Sequence, residues 1–159
     1  MVIHSIFKVI SSFLLIISLT ILTQVSHATE SENYKIVDGI AVYLGILPAE
    51  MISGHAKEHT ESIMHGGIPS SGYNIHLIVA LFDKASGKRI TNAKVTARIR
   101  EIDGMSGKAK ELESMQIANT ITYGNYFVIG NRGSYDVLIQ ISRPGESRIL
   151  EVQFLHQHF

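Results

Sequence analysis

Residues 73–101 read YNIHLIVALFDKASGKRITNAKVTARIRE, and the way this stretch divides decides the fold. Residues 73–83 (YNIHLIVALFD) are a nearly continuous apolar run, rich in side chains that pack well on a pleated surface. Ala85-Ser86-Gly87-Lys88 supplies the residue types of a turn. Residues 93–101 (AKVTARIRE) then alternate, with Val95, Ala97 and Ile99 on one side and Lys94, Thr96, Arg98 and Arg100 on the other. The period is two, so the unit is strand, turn, strand.

The same period recurs outward in both directions. Upstream, residues 35–47 (KIVDGIAVYLGIL) predict a first strand that breaks at Gly39. Downstream, residues 111–117 and 122–129 predict two shorter strands. Residues 134–142 (SYDVLIQIS) point Tyr135, Val137, Ile139 and Ile141 to one side, and residues 148–157 (RILEVQFLHQ) do the same with Leu150, Val152, Phe154 and His156. About seven strands joined by polar or glycine-containing links predict an all-β fold, an immunoglobulin-like antiparallel β-sandwich. One long loop interrupts it, residues 48–72. A link of that length inside a small domain is often functional. A short helix is expected over residues 48–52, because proline suits a first helical turn.

The amino-terminal 28 residues read as a secretory signal peptide. Lys8 gives the charged region, residues 9–22 the apolar core, and Ser26-His27-Ala28 the small residues before a cut expected after Ala28. An apolar run of 14 residues is short for a permanent membrane span, so membrane attachment is expected only through an uncleaved signal segment. Residues 29–159 then form one domain, and its expected location is the periplasm. The whole chain has 14 Lys+Arg and 14 Asp+Glu; losing Lys8 leaves 13 against 14. There is no basic stripe to hold nucleic acid. With no cysteine there is no disulfide and no thiol ligand, so the exported domain relies on its core.

Histidine and methionine are where the sequence turns to chemistry. Residues 54–67 read GHAKEHTESIMHGG, and the chain closes on Leu155-His156-Gln157-His158-Phe159. If consecutive strands run antiparallel, the first, third, fifth and seventh finish at one end of the domain. That end collects the long loop with His55, His59, Met64 and His65, the link with Met105, and the last residues. The second and fourth strands begin there, bringing His76 and Met115. His156 and His158 share a face with the inward row of their strand. Imidazole suits copper and zinc, and thioether sulfur selects Cu(I). A metal cluster of His156, His158, His76, His65, Met115 and Met64 is therefore expected, with copper as the ion. Each residue also has a plain structural reading. His55 and His59 read as solvated loop residues, His76 as a hydrogen-bonded core histidine, His156 and His158 as a frayed tail, and Met115 as packing. In residues 119–127 (NTITYGNYF), Tyr123 and Tyr126 flank Gly124-Asn125, which predicts a bulge or kink beside a structural tyrosine pair.

Residues 74–100 (NIHLIVALFDKASGKRITNAKVTARIR) resemble the opening of small exported bacterial domains of the YtkA-like kind, which share a β-sandwich with CopC-like copper-resistance proteins. The apolar strand, the D-x-x-S-G-K turn and the A-K-V-T-A strand carry the resemblance, which extends over residues 73–159. It implies periplasmic copper binding by His and Met, with His76, His156, His158 and Met115 in position for it. The chain departs from CopC-like proteins in having no histidine at its expected mature start, Thr29-Glu30-Ser31. It ends H-x-H where oxidase-feeding copper chaperones have H-x-M.

The expected function is a non-enzymatic periplasmic copper carrier or assembly factor that works with a metal ion and a periplasmic or membrane-bound protein. The alternative is a metal-free protein–protein interaction module within an exported or envelope complex. No nucleophile–base pattern, phosphate-binding glycine loop or H-E-x-x-H motif points to an enzyme.

Overall fold

The computed structural model describes residues 31–53, 74–102, 104, 107–117, 119–130 and 132–159. Eight strands and one short helix appear in it: β1 (Tyr34–Val37), β2 (Ile40–Pro48), α1 (Ala49–Ser53), β3 (Asn74–Asp83), β4 (Lys94–Glu101), β5 (Lys110–Ile117), β6 (Thr120–Val128), β7 (Gly133–Ser142) and β8 (Leu150–His158). The expected signal peptide and most of the long loop, with His55, His59, Met64 and His65, lie outside the described residues, as does Met105.

The break anticipated at Gly39 is a two-residue hairpin. Val37 pairs with Ile40, and Asp38 and Gly39 take φ of 47° and 75°. An Asp-Gly pair suits a turn with two left-handed residues, which follows the natural twist of the ribbon. One expected strand therefore becomes β1 and β2, and α1 follows Pro48 directly.

All pairings are antiparallel, in the order β1-β2-β3-β6-β5-β4-β7-β8. β5 joins the two halves of the sandwich. Its first residues pair with β4 through Ala97↔Lys110 and Val95↔Leu112, and its later ones with β6 through Glu113↔Gly124 and Ile117↔Thr120. The two outermost strands approach each other, with Lys35 of β1 lying 5.8 Å over the Phe154 ring of β8, so the sheet is nearly closed. A lysine pointing inward at an edge also discourages pairing with another chain.

Between the halves lies the core. Val95, Ala97 and Ile99 of β4, Val137, Ile139 and Ile141 of β7, and Leu150, Val152 and Phe154 of β8 are buried, as their alternation predicts. On β3 the core residues are Ile75, Leu77, Val79 and Leu81. Burying a side chain of this size is worth about 1.5–3 kcal/mol. Tyr123 of β6 enters the same core, where its hydroxyl accepts from Ala93 N at 3.0 Å and donates to Ile90 O at 3.3 Å. The turn after β3 is held by Asp83, whose carboxylate accepts from Ser86 N at 2.7 Å and Ser86 Oγ at 2.5 Å. These bonds hold its carboxyl below the usual carboxylate range.

The pairings also fix polarity. β2, β4, β6 and β8 run the same way and finish at one pole, where β3, β5 and β7 begin.

Candidate metal centre

Two His/Met constellations form in the described part of this sandwich, and they lie on opposite faces of β3. Alternation along β3 sends Ile75, Leu77, Val79 and Leu81 into the core. His76 must therefore point away from it, onto the outer face of the β2–β3–β6–β5 sheet. Register places Leu47 and Tyr126 beside His76, Gly124 beside Ile78, and Met115 beside Thr122 on that same face.

Around His76 and Met115 the outer face is shielded from solvent, although Tyr43, Leu47 and Val128 on the same face are exposed. His76 and Met115 are both 0% exposed, and Tyr126 and Thr122 are buried with them. The His76 and Tyr126 rings lie 4.8 Å apart, tilted by 34°. Ala49 of α1 packs on Tyr126 in a small cluster separate from the main core. Gly124 is the floor of this site. A Cβ placed on it would sit 2.4 Å from Met115 Cε, 3.0 Å from His76 Nε2 and 3.0 Å from Leu77 O. The imidazole of β3 and the terminal methyl group of the β5 methionine thus converge from either side over one residue of the strand between them. Thr122 Oγ1 donates to Met115 O at 3.5 Å, which ties β6 to β5 beside the pair.

The register through residues 123–126 is continuous, so Gly124-Asn125 forms no bulge and no kink. The glycine is needed for close approach. Tyr123 and Tyr126, three residues apart on an extended strand, face opposite sides and do not form a pair: one anchors the core and the other packs on His76. A glycine inside an apolar strand is also the mark of close approach by another group. That signal was present in the sequence, and the roles of Gly124 and Tyr126 follow from it only once the neighbouring strands are known.

His156 and His158 occupy the pole. They continue the inward row of β8 past Phe154, opposite Tyr135 and Gly133 of β7. Both are half-buried, with ring centroids 6.2 Å apart. They line a cavity of about 310 Å³ walled by Ile46, Pro48, Ile75 and Ile129, with Asn74 at the start of β3. Burial holds the His156 imidazole below its ordinary value of 6.5, and the neighbouring His158 adds to the effect.

The six expected ligands are therefore distributed unevenly. His76 meets Met115, and His156 meets His158. The sheet separates these two pairs, so a single cluster containing all four does not form. Met64 and His65 fall outside the described residues. Among the described residues, no three of His, Asp or Glu gather as a ready-made metal group. The donor chemistry of the two pairs differs. Imidazole with thioether is a soft, uncharged set suited to Cu(I), whereas two imidazoles suit a borderline ion.

No protein-family model matches the chain, and no curated protein matches its sequence. Solved structures do match it. A DUF4426 family protein from Pseudomonas aeruginosa aligns at a TM-score of 0.55 and 16% identity, covering 79% of this chain and 96% of that one. A copper-bound variant of FetP from uropathogenic Escherichia coli aligns at 0.59 and 14% identity, covering 79% and 93%. Copper-reconstituted P19 from Campylobacter jejuni aligns at 0.60 and 15% identity, covering 79% and 92%. At such identities the likeness is one of architecture. The chain has the β-sandwich fold of FetP and P19, two proteins solved with copper bound.

Proposed function

We propose that this protein is a non-enzymatic copper-binding carrier or assembly factor of the bacterial periplasm. The observation that carries the reading is the convergence of His76 Nε2 and Met115 Cε over Gly124, in a site shielded from solvent. Burial of an uncharged nitrogen–sulfur pair favours Cu(I), whose single charge and softness match such donors. The shared fold with copper-bound FetP and P19 supports the same assignment, as does the amino-terminal segment with its features of an export signal. Met64 and His65 are kept as further donors on their residue types alone. Copper here is cargo, taken up and passed to a protein partner, and no bond-making chemistry is assigned to the chain.

The test is a competition titration with Cu(I) on the full exported chain, alongside Met115→Leu and His76→Phe. Leucine conserves the volume of methionine at a cost below about 1.5 kcal/mol, so the fold persists while the sulfur is lost. The expected result is stoichiometric Cu(I) binding that weakens by at least about tenfold, or 1.4 kcal/mol, in either variant. Wild-type binding no tighter than micromolar would overturn the assignment. So would tight binding that neither substitution alters.

A further inference from the structure

The pocket at the pole is built for metal in its own right. His156 and His158 are two residues apart on a strand, so the pleat alone points both rings the same way, and the long β7–β8 ladder fixes them there. Two imidazoles sharing one ion through metal–nitrogen bonds of about 2.0–2.1 Å hold their ring centroids roughly 4.5 Å apart at a right angle, about 5.2 Å at a tetrahedral angle and about 6.4 Å when the rings oppose each other. The observed separation of 6.2 Å lies near the opposed limit, and a tetrahedral site would draw the two rings together by about 1 Å. His156 Nε2 is buried and has no hydrogen-bond partner among the described residues. Burying a polar nitrogen without a partner is unfavourable unless something else satisfies it. The pocket walls around it are mostly apolar, formed by Ile46, Pro48, Ile75, Ile129 and Phe159, and neither of the two amide residues that also line it, Asn74 and Gln157, hydrogen-bonds to this nitrogen. A coordinated ion would satisfy the nitrogen.

We propose that His156 and His158 form a second metal site, independent of the His76–Met115 pair, which takes a borderline divalent ion of the Cu(II) or Zn(II) kind and leaves coordination positions open to an outside ligand. Independence follows from the sheet: Ile75 lines this pocket, and the next residue, His76, points to the other face. The divalent preference follows from the donors, since the pocket lining contains imidazole and no thioether. Openness follows from the space, because about 310 Å³ is far more than one ion fills, and no third His or carboxylate joins the two rings among the described residues. The remaining positions would be taken by water, by a small ligand, or by a donor side chain of a partner that receives the ion. The chain would then carry two sites of different softness: a fully buried one for Cu(I) and a half-buried one, opening on a cavity, from which a divalent ion can be exchanged.

The test uses the full exported chain, the double variant His156→Gln/His158→Gln, and Met115→Leu. Glutamine keeps side-chain bulk and polarity, and circular dichroism verifies that each variant is folded. Cu(II) is followed by electron paramagnetic resonance and Zn(II) by competition. The expected wild-type spectrum shows coupling to two imidazole nitrogens. In the double variant this coupling disappears and Cu(II) affinity falls by about 100-fold or more, at least what loss of a supporting group costs a metal site. Cu(I) affinity stays within about twofold in the double variant, and Met115→Leu gives the reverse pattern. Retained nitrogen coupling in the double variant would overturn the proposal. Cu(I) and Cu(II) affinities falling together in both variants would also overturn it, because that describes one composite site. If Cu(II) binding depends on His156 and His158 while wild-type Cu(I) binding is weak, this site stands and the buried carrier site falls.

Discussion

Gly124→Ala is the substitution that most directly probes the buried pair. The added Cβ would lie 2.4 Å from Met115 Cε, where carbon atoms ordinarily rest about 3.5–4.0 Å apart. The methyl group must retreat by more than about 1 Å to restore that contact. Met115 is 0% exposed and His76, 3.0 Å from the same point, is 0% exposed too, so neither has open space to move into. The third neighbour, Leu77 O, is backbone of the paired strand. Overpacking of this kind costs about 1–3 kcal/mol, and the reduced freedom of the unfolded chain returns about 0.4–1 kcal/mol. The net expectation is a loss of up to about 2.6 kcal/mol, centred on about 1.3 kcal/mol. Gly45→Ala is the matched control. Gly45 sits on β2 beside Ile78, on the same face, and its Cβ would meet Ile78 Cβ at an ordinary 3.7 Å. That variant should be neutral or more stable by up to about 1 kcal/mol. Urea denaturation measures both, and Cu(I) competition on the same samples should show weaker binding only for Gly124→Ala. Equal stability of the two variants with unchanged Cu(I) affinity would refute the close approach of His76 and Met115 over this glycine.

Other outcomes follow from the core and the pole. Tyr123→Phe removes the hydroxyl that serves Ala93 N and Ile90 O and should cost about 1–3 kcal/mol, seen as a lower urea midpoint with an unchanged slope. For His156, the folded value lies below 6.5, so the unfolded chain binds the proton more readily. Its contribution is therefore neutral above about pH 6.5, and stability is lost as the pH falls from there through the folded value. Denaturation at pH 7.5, 6 and 5 should show a shallower decline for His156→Gln than for the wild type, and parallel curves would remove the burial argument for this ring.

Much of this protein was legible locally. The strands of residues 73–101, the inward rows Val95-Ala97-Ile99 and Val137-Ile139-Ile141, and the Asp38-Gly39 break all follow from side-chain period and turn chemistry, which act over a few residues. The common pole of β2, β4, β6 and β8 followed from antiparallel pairing alone. The face of His76 did not. β3 is apolar on both sides, so its alternation says which residues share a face and not which face meets the core. That was settled by Ile75 and Leu77 packing into the main core, while Tyr126, Met115 and Ala49 are buried on the other side. The union of His76 with Met115 depends on β3 and β5 flanking β6, an order far from that of the sequence. Gly124 shows the same division. Its place within a strand was readable, but the two side chains that require it to be glycine come from the strands on either side. The sequence by itself determined strand content, polarity and donor chemistry, because these are local. Only the tertiary structure decided that His76 and Met115 lie on one face of the sheet and His156 and His158 on the other, because which strands become neighbours is set by packing between distant parts of the chain.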